Sequence, residues 1–442
     1  MLLLIISFSG VKVFAREKEK INSNVEEIIF VFKTHFDIGY TDKAESVVDK
    51  YATSMMDRAL ATLDKSLLMP KEKQFVWTMP SWPVLQILER CSPEKKSKIE
   101  KAISEGWFVH HALPFTFETE ACDPEILVRS LSFSAKLSNK YGLPLPQDAK
   151  LTDVPGHSWF LPTLLNNAGV KILHIGCNPA SSSPDVPLIF WWQGPDNSKL
   201  MTMYWGEYYG TSLVPPDEWK FKTWLAIIHT NDNYGPPSPE EVDGILKKAQ
   251  KLAPNAKLRI GRISDFYDAL MKEDPDLPVI RGDMPDTWIH GFMSMPKEVK
   301  SARTVEKEII SLEKLNTLCN IWTASQKRRT SLIEPSVENI LLFDEHTFGM
   351  SMSHGHSVDW YYGEDFKIAR ASGIYKPLED SWIEKRDRAY QAEKIIVPAY
   401  DREMKRLSEM VKVEGERVVV YNPLPWKRTG LVTIQKRNKI KA

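Results

Sequence analysis

Cysteine is scarce: Cys91, Cys122, Cys177 and Cys319 are the 4 in 442 residues. None falls in a Cys-x-x-Cys or Cys/His finger spacing, which speaks against a cysteine-held structural zinc. One disulfide is open to these thiols in an oxidising compartment, with its pairing not legible. Net charge is missing too, since 58 basic residues balance 58 acidic ones and the pI is near 7.2. A neutral chain has no field with which to wrap nucleic acid or lie on an anionic membrane. The N-terminal apolar run, residues 1–10, falls short of the about 20 residues of a spanning helix. No internal repeat or low-complexity tract occurs.

What is present is a substantial core. Hydrophobic residues make up 43% and charged residues 26%, the profile of a soluble globular protein. At roughly 150 residues per domain the length suggests about three domains, or one large α/β domain with additions. Aromatics reach 10%, with 14 Trp, and such rings often grip flat ligand faces in concave sites, sugars among them. Residues 1–15, ending Val13-Phe14-Ala15 before a charged run, read as a secretory signal peptide lacking the usual basic start. The expected location is therefore secreted or periplasmic. A buried N-terminal strand is the alternative, and the charged run after Ala15 continues it poorly.

From Glu27 to about Leu270, apolar runs alternate with helical stretches. Strands are predicted at 28–32, 75–78, 170–175, 199–204, 225–229 and 257–260, and helices at 43–64, 83–90 and 159–167. Near-continuous apolar strands between helices indicate a parallel sheet buried on both faces. The fold class is α/β, a sheet open or closed into a barrel. Residues 301–325 and 378–412 are long, charged and helically periodic, which predicts a helical bundle. Strands are predicted again at 417–421 and 431–434.

Four stretches carry chemistry. In Lys33-Thr34-His35-Phe36-Asp37, at the end of the first strand, His35 and Asp37 point to one side, because side chains alternate along extended chain. They are half of a divalent metal shell or a hydrogen-bonded pair. Asp153, in Thr152-Asp153-Val154-Pro155-Gly156-His157, precedes a turn and is a site carboxylate or a turn and capping residue. His157 reads as a ligand or as a structural histidine. His346, in Asp344-Glu345-His346-Thr347-Phe348-Gly349, either completes a shell or joins His354 and His356 as surface histidines. Asp232 ends the run Ile228-His229-Thr230-Asn231-Asp232.

In this order the motifs resemble glycoside hydrolase family 38, the zinc-dependent retaining α-mannosidases. Further matches are Phe190–Asp196, Ile263–Leu270, Leu277-Pro278 with Gly282-Asp283, Trp288–Gly291, Arg303, and Val420–Trp426. The resemblance implies a parallel β/α barrel-like catalytic domain, then a helical bundle, then the start of a β-sandwich. The expected spans are 1–15 for the signal, 26–294, 295–412, and 413–442 as the first strands of a truncated sandwich. It implies Zn2+ on His35, Asp37, Asp153 and His346, with Asp153 also the nucleophile and Asp232 the general acid/base. Gly349 lies three residues after His346 where the family has four, so Asp344, or less readily Glu345, competes with His346 as the fourth ligand. Tyr40 stands where a stacking Trp is usual, and Asn231 replaces one acid of a pair.

The implied reaction is double displacement on a carbohydrate, with the two carboxyl groups about 5–5.5 Å apart. Tyr40, His157, Trp192, Trp205, Tyr208 and Trp288 are the substrate-binding candidates, with core packing the alternative for each Trp. Two other functions fit the same residues: a metal-dependent carbohydrate deacetylase, which would not need Asp232, and an inactive carbohydrate-binding relative. Nucleic acid and a membrane span are not expected, and oligomeric state is not legible.

Overall fold

The structure is a computed structural model, and it describes residues 22, 24–285, 291–325, 328–351, 361–415 and 417–433. The signal-peptide reading of residues 1–15 and the reading of Trp288 fall outside these. The chain divides into two compact units, Met1–Pro296 with Leu341–Asp387, and Lys297–Ile340 with Arg388–Ala442. Leu341–Asp387, expected within the helical span 295–412, groups with the first unit.

Two five-stranded sheets build the first unit. Strand β1 (Glu27–His35) is the spine of one, and every residue after Glu27 is buried. Its run Ile28–Phe32 buries five apolar side chains, each worth about 1.5–3 kcal/mol. Strand β9 (Thr223–Asp232) pairs parallel along the whole of β1. On β1's other edge, β10 (Lys257–Ile260) pairs with the first half and β2 (Trp77–Met79) with the second, and β3 (Phe108–His110) follows β2. The second sheet runs β4 (Asp148–Thr152), β6 (Ile172–Gly176), β8 (Lys199–Trp205), β7 (Ile189–Gln193) and β11 (Val279–Ile280). In it β4, β6 and β8 are parallel and β7 is antiparallel to β8. A short ribbon joins β5 (Gly156–His157) to β12 (Met284–Pro285).

Backbone bonds link the two sheets at both margins, Ala112 N donating to Asp148 O at 2.9 Å and Thr211 N to Ile227 O at 3.0 Å. The result is a barrel-like α/β unit with a polar interior. Strand β4 shows this: Asp148, Lys150 and Thr152 alternate with Ala149 and Leu151, and all five are buried. No apolar run marks it in the sequence, so it was not among the predicted strands.

The helices follow their signals. Ser238 and Glu241 form a reciprocal capping box with Pro239 at the first position of the helix Pro239–Leu252. The predicted helix at 43–64 is Ala44–Lys50 and Met56–Ser66 with a π turn, Tyr51–Met55, between them. In the second unit, the long helix Pro296–Thr323 buries Leu315 and Cys319 with Leu407. Arg329 binds the buried Glu403 through Nε at 3.0 Å and Nη2 at 2.6 Å. The strands expected at 417–421 and 431–434 are not formed among residues 417–433. Val418, Val420 and Leu431 are exposed there, and two strands alone bury too little to hold a ribbon. All four cysteines are free thiols.

Two glycines let the chain after β8 press on the strand ends. A Cβ on Gly176 would lie 2.7 Å from Thr152 Cγ2 and 2.8 Å from Tyr208 O and Tyr209 Cα. A Cβ on Gly210 would lie 2.5 Å from Ile227 O. Gly176→Ala is therefore expected to destabilise the protein by about 1–3 kcal/mol, measured as a lower urea midpoint. An unchanged midpoint would show that this contact is soft.

Candidate metal centre

Three separate segments place four side chains at a common point. His35 ends β1, Asp37 follows two residues later, Asp153 follows β4, and His346 lies after the helix Thr330–Asp344. Their donor atoms lie within 4.8 Å of one another. His35 Nε2 is 2.8 Å from Asp37 Oδ1, 3.0 Å from His346 Nε2 and 3.5 Å from Asp153 Oδ2. His346 Nε2 is 3.1 Å from Asp37 Oδ1 and 3.4 Å from Asp153 Oδ2. Bonds of 2.0–2.1 Å in a tetrahedron make ligand–ligand edges of about 3.3 Å, and the five distances straddle that value. Asp37 Oδ1 is buried with no hydrogen bond, facing two ring nitrogens that cannot both donate to each other. A divalent cation fits this donor set of two imidazoles and two carboxylates.

Outer contacts aim each ligand. His35 Nδ1 meets Thr152 Oγ1 at 3.0 Å, and His346 Nδ1 meets Glu345 Oε1 at 2.9 Å, so both rings turn Nε2 inward. Glu345 is itself fixed by Thr347 N and Oγ1, at 3.0 and 2.5 Å from its Oε2. Lys385 Nζ donates to Glu345 O at 2.7 Å and Leu342 O at 3.0 Å. The segment carrying His346 pairs with residues 116–118 through a Phe117–Glu345 bridge and the bond Glu118 N to Asp344 O at 2.7 Å. Asp344 turns away, its Oδ2 accepting from Cys122 Sγ at 3.3 Å. His346, not Asp344, is the donor brought to the cluster, and Glu345 supports it from behind.

Asp153 sits at φ 65°, a left-handed conformation that Asp tolerates better than most residues. Its Oδ1 accepts from Asn178 Nδ2 at 2.6 Å and from the Tyr209 hydroxyl, which leaves Oδ2 for the cluster. Burial alone would raise this carboxyl, but hydrogen bonds and charge from His346 and His35 hold it well below the usual range. Burial likewise opposes a proton on His35, yet Asp37 and Asp153 outweigh it and lift the imidazole to about 9. The site thus attracts positive charge, and protons compete with a cation for it.

Asp232 reaches the site through a bulge. Lys33 pairs with His229 and His35 with Asp232, so β9 spends three residues where β1 spends two. The extra residue puts Asp232, rather than Asn231, opposite His35. Burial, then Asp37 and Asp153, raise the Asp232 carboxyl to about 6. Asn233 clamps the corner. It is fully buried, its N donates to His35 O at 2.8 Å, its Oδ1 accepts from Asp37 N and the Tyr51 hydroxyl, both at 3.1 Å, and its Nδ2 donates to Asp37 O at 2.7 Å.

The aromatic candidates separate. Tyr208 stacks on Tyr209 at 4.8 Å and 12°, and its hydroxyl donates to Asn231 Oδ1 at 3.2 Å. Burial, with Asp232 and Asp153, pushes its phenol up to about 12. Trp205 ends β8 half-buried in register with Gly176, and Tyr40 is half-buried in the loop after Asp37. Trp192 is corrected: it is fully buried in β7, and its Nε1 donates to Gly282 O at 2.9 Å, so it packs the core rather than a sugar. His157 lies buried in the β5–β12 ribbon opposite Met284, and burial lowers it to about 3. It is not among the converging donors.

Sequence reading passed over Thr152, Asn178, Tyr209, Asn233 and Lys385, and weighed Glu345 only as a competing ligand. Only Glu345 had a signal, as an acid directly before His346, since its backbone neighbour is the ligand it orients. The others act through contacts between distant segments. Asn233→Ala strands the Asp37 N–H in the interior, at a cost of about 1–3 kcal/mol, and leaves the Tyr51 hydroxyl only its 3.5 Å contact with His35 O. The expected outcome is a loss of a few kcal/mol in denaturant unfolding together with lower metal content. Wild-type values for both would remove the clamp role.

Comparisons with known proteins bear on this arrangement. The family described as "Glycosyl hydrolases family 38 N-terminal domain" matches residues 26–285. No curated protein matches the chain. Among solved structures, an alpha-mannosidase from Enterococcus faecalis V583 superposes with a TM-score of 0.64 at 17% identity, over 87% of this chain and 43% of that one. A protein in the Glycosyl Hydrolase Family 38 from Enterococcus faecalis gives 0.58 at 13%, over 88% and 41%. The chain therefore spans about two fifths of the length of these structures. Both share its fold, and a family match over more than half of the chain shows that it belongs to glycoside hydrolase family 38.

Proposed function

We propose that this chain is a zinc-dependent retaining glycoside hydrolase acting on α-mannoside-like substrates. The observation that carries the reading is the convergence of His35, Asp37, Asp153 and His346 from three segments, with the raised carboxyl of Asp232 on the neighbouring strand. Zinc suits two imidazoles and two carboxylates, and when bound it supplies Lewis-acid polarisation and orients sugar hydroxyls. Asp153, low in pKa and held by Asn178 and Tyr209, is the carboxylate that attacks the anomeric carbon and forms a glycosyl ester. Asp232 gives its proton to the departing oxygen, then takes one from the water that releases the sugar. Tyr208 and Trp205, at the same strand ends, are the rings this reading assigns to a sugar face. Residues 1–15 would direct the enzyme out of the cytoplasm.

A panel of nitrophenyl glycosides that includes the α-mannoside, assayed with and without chelator, tests the reading. Cleavage lost to chelator and restored by zinc is expected, with the first product retaining its anomeric configuration. Because a general acid must hold its proton, kcat/KM should fall as pH rises through the Asp232 pKa, near 6 before a cation's own charge lowers it. Asp232→Asn should lower the rate about 10²–10⁴-fold and remove that limb. An Asp232→Asn enzyme with full activity would sink the glycosidase assignment.

Glu345→Ala removes the carboxylate behind His346, and a loss of about 10–100-fold in zinc affinity is expected. Competition with a chelating dye measures it. An unchanged affinity would mean that Glu345 does not orient the ligand.

A further inference from the structure

One layer below the metal ligands, the barrel interior is lined by basic groups. Side chains two residues apart on a strand share a face, so Lys33 lies beneath His35 and Lys150 beneath Thr152, whose side chains meet. The register extends the layer. His229, Lys33 and Thr78 are consecutive partners across β9, β1 and β2, and Lys150, His174 and Met203 across β4, β6 and β8. Lys33, Lys150, His174, His229 and Thr78 are all buried.

This layer has a surplus of donors, carried by the two lysines and His229, since the neutral His174 ring offers one donor and one acceptor. Lys150 Nζ, both ring nitrogens of His174, His229 Nε2 and Thr78 Oγ1 have no hydrogen-bond partner. Lys33 Nζ gives one bond, to Thr34 O at 3.1 Å, leaving further N–H groups. His229 Nδ1 accepts from Asn231 N at 3.2 Å, so the neutral ring carries its proton on the unpartnered Nε2. The six layer positions include no carboxylate. Of the neighbouring groups, Asp153 commits its oxygens to Asn178, Tyr209 and the metal cluster, and His111 faces the same lysines with its Nδ1 taken by Leu113 N.

We propose that this layer is an internal anion site, holding one halide-sized monovalent anion between Lys150 and His174 on one sheet and Lys33 and His229 on the other. Water brings as many donors as acceptors and cannot cancel the surplus, whereas an anion brings acceptors alone. Charge points the same way. Burial and then Lys33 push Lys150 well below its ordinary pKa, with Asp153 opposing them, and burial, Lys150 and Lys33 do the same to His174, so protons are held there only against burial and like charge. Burying a charge is costly unless it is paired. The site needs neither zinc nor glycosidase activity, so it stands or falls independently of the proposed function.

The test uses the full metal-replete chain, with sodium bromide exchanged against sodium methanesulfonate at constant ionic strength. The expected thermal midpoint rises saturably with bromide, by on the order of 5 °C at a hundredfold excess over Kd. Crystals grown in bromide should show an anomalous peak between Lys150 and Lys33. Lys150→Met should abolish the bromide-dependent rise while zinc content by elemental analysis stays at the wild-type level. Should Lys150→Met not fold, the wild-type peak decides alone. A midpoint insensitive to bromide, bromide peaks confined to the surface, or a folded Lys150→Met protein that keeps the response would overturn the site.

Discussion

Everything in the first unit is arranged around the burial of two imidazoles and two carboxylates at one point. His35, Asp37 and His346 are almost entirely removed from solvent, and charges placed there must be balanced by each other or by a cation. The burial of β1's apolar run is what offsets that cost, because the same nine-residue strand that fills the core delivers His35 at its end. A strand paired on both edges cannot shift register without moving every side chain to the other face. The position of His35 is therefore as fixed as the core itself.

Around this point the backbone departs from ordinary conformations. Asp153, Asn231 and Asn233 all have positive φ, strain of about 1–3 kcal/mol each that the surrounding packing must hold. The departures have directions. At Asp153 the turn presents one carboxylate oxygen to the cluster and the other to Asn178 and Tyr209. The β9 bulge brings Asp232 into register with His35. Two carboxyls in one pocket then differ in character: Asp153 is held ionised by the imidazoles, and Asp232 keeps its proton longer because it is buried beside other carboxylates. That split suits a nucleophile and a proton donor.

The interior below is neither apolar nor neutral. Polar residues line strand β4 toward the barrel axis, while its Ala149 and Leu151 alternate with them. Such a strand looks like surface in the sequence, since a buried lysine and an exposed one are written alike. The same reason hid Thr152, which orients His35. The apolar strands β1, β9 and β10 were legible because long β-branched and aromatic runs have few other uses. The segment 417–433 shows the converse, for its alternating apolar residues resemble strands yet pair with nothing among the described residues.

By itself the sequence determined the α/β class, the apolar strands, and the residue types at their ends, His35, Asp37 and Asp232 among them. These depend on periodicity and local spacing, which are properties of neighbours in the chain. Whether Asp344 or His346 joins the cluster could not be settled that way, because the one-residue difference in loop length is resolved only where 344–346 pairs with 116–118. The roles of Asn233, Tyr209 and Lys385, and the burial of Trp192 in the core, were likewise decided by tertiary structure. Each depends on which segments the sheets bring within a few ångströms, and contacts between residues 40 to 196 positions apart leave no local pattern to read.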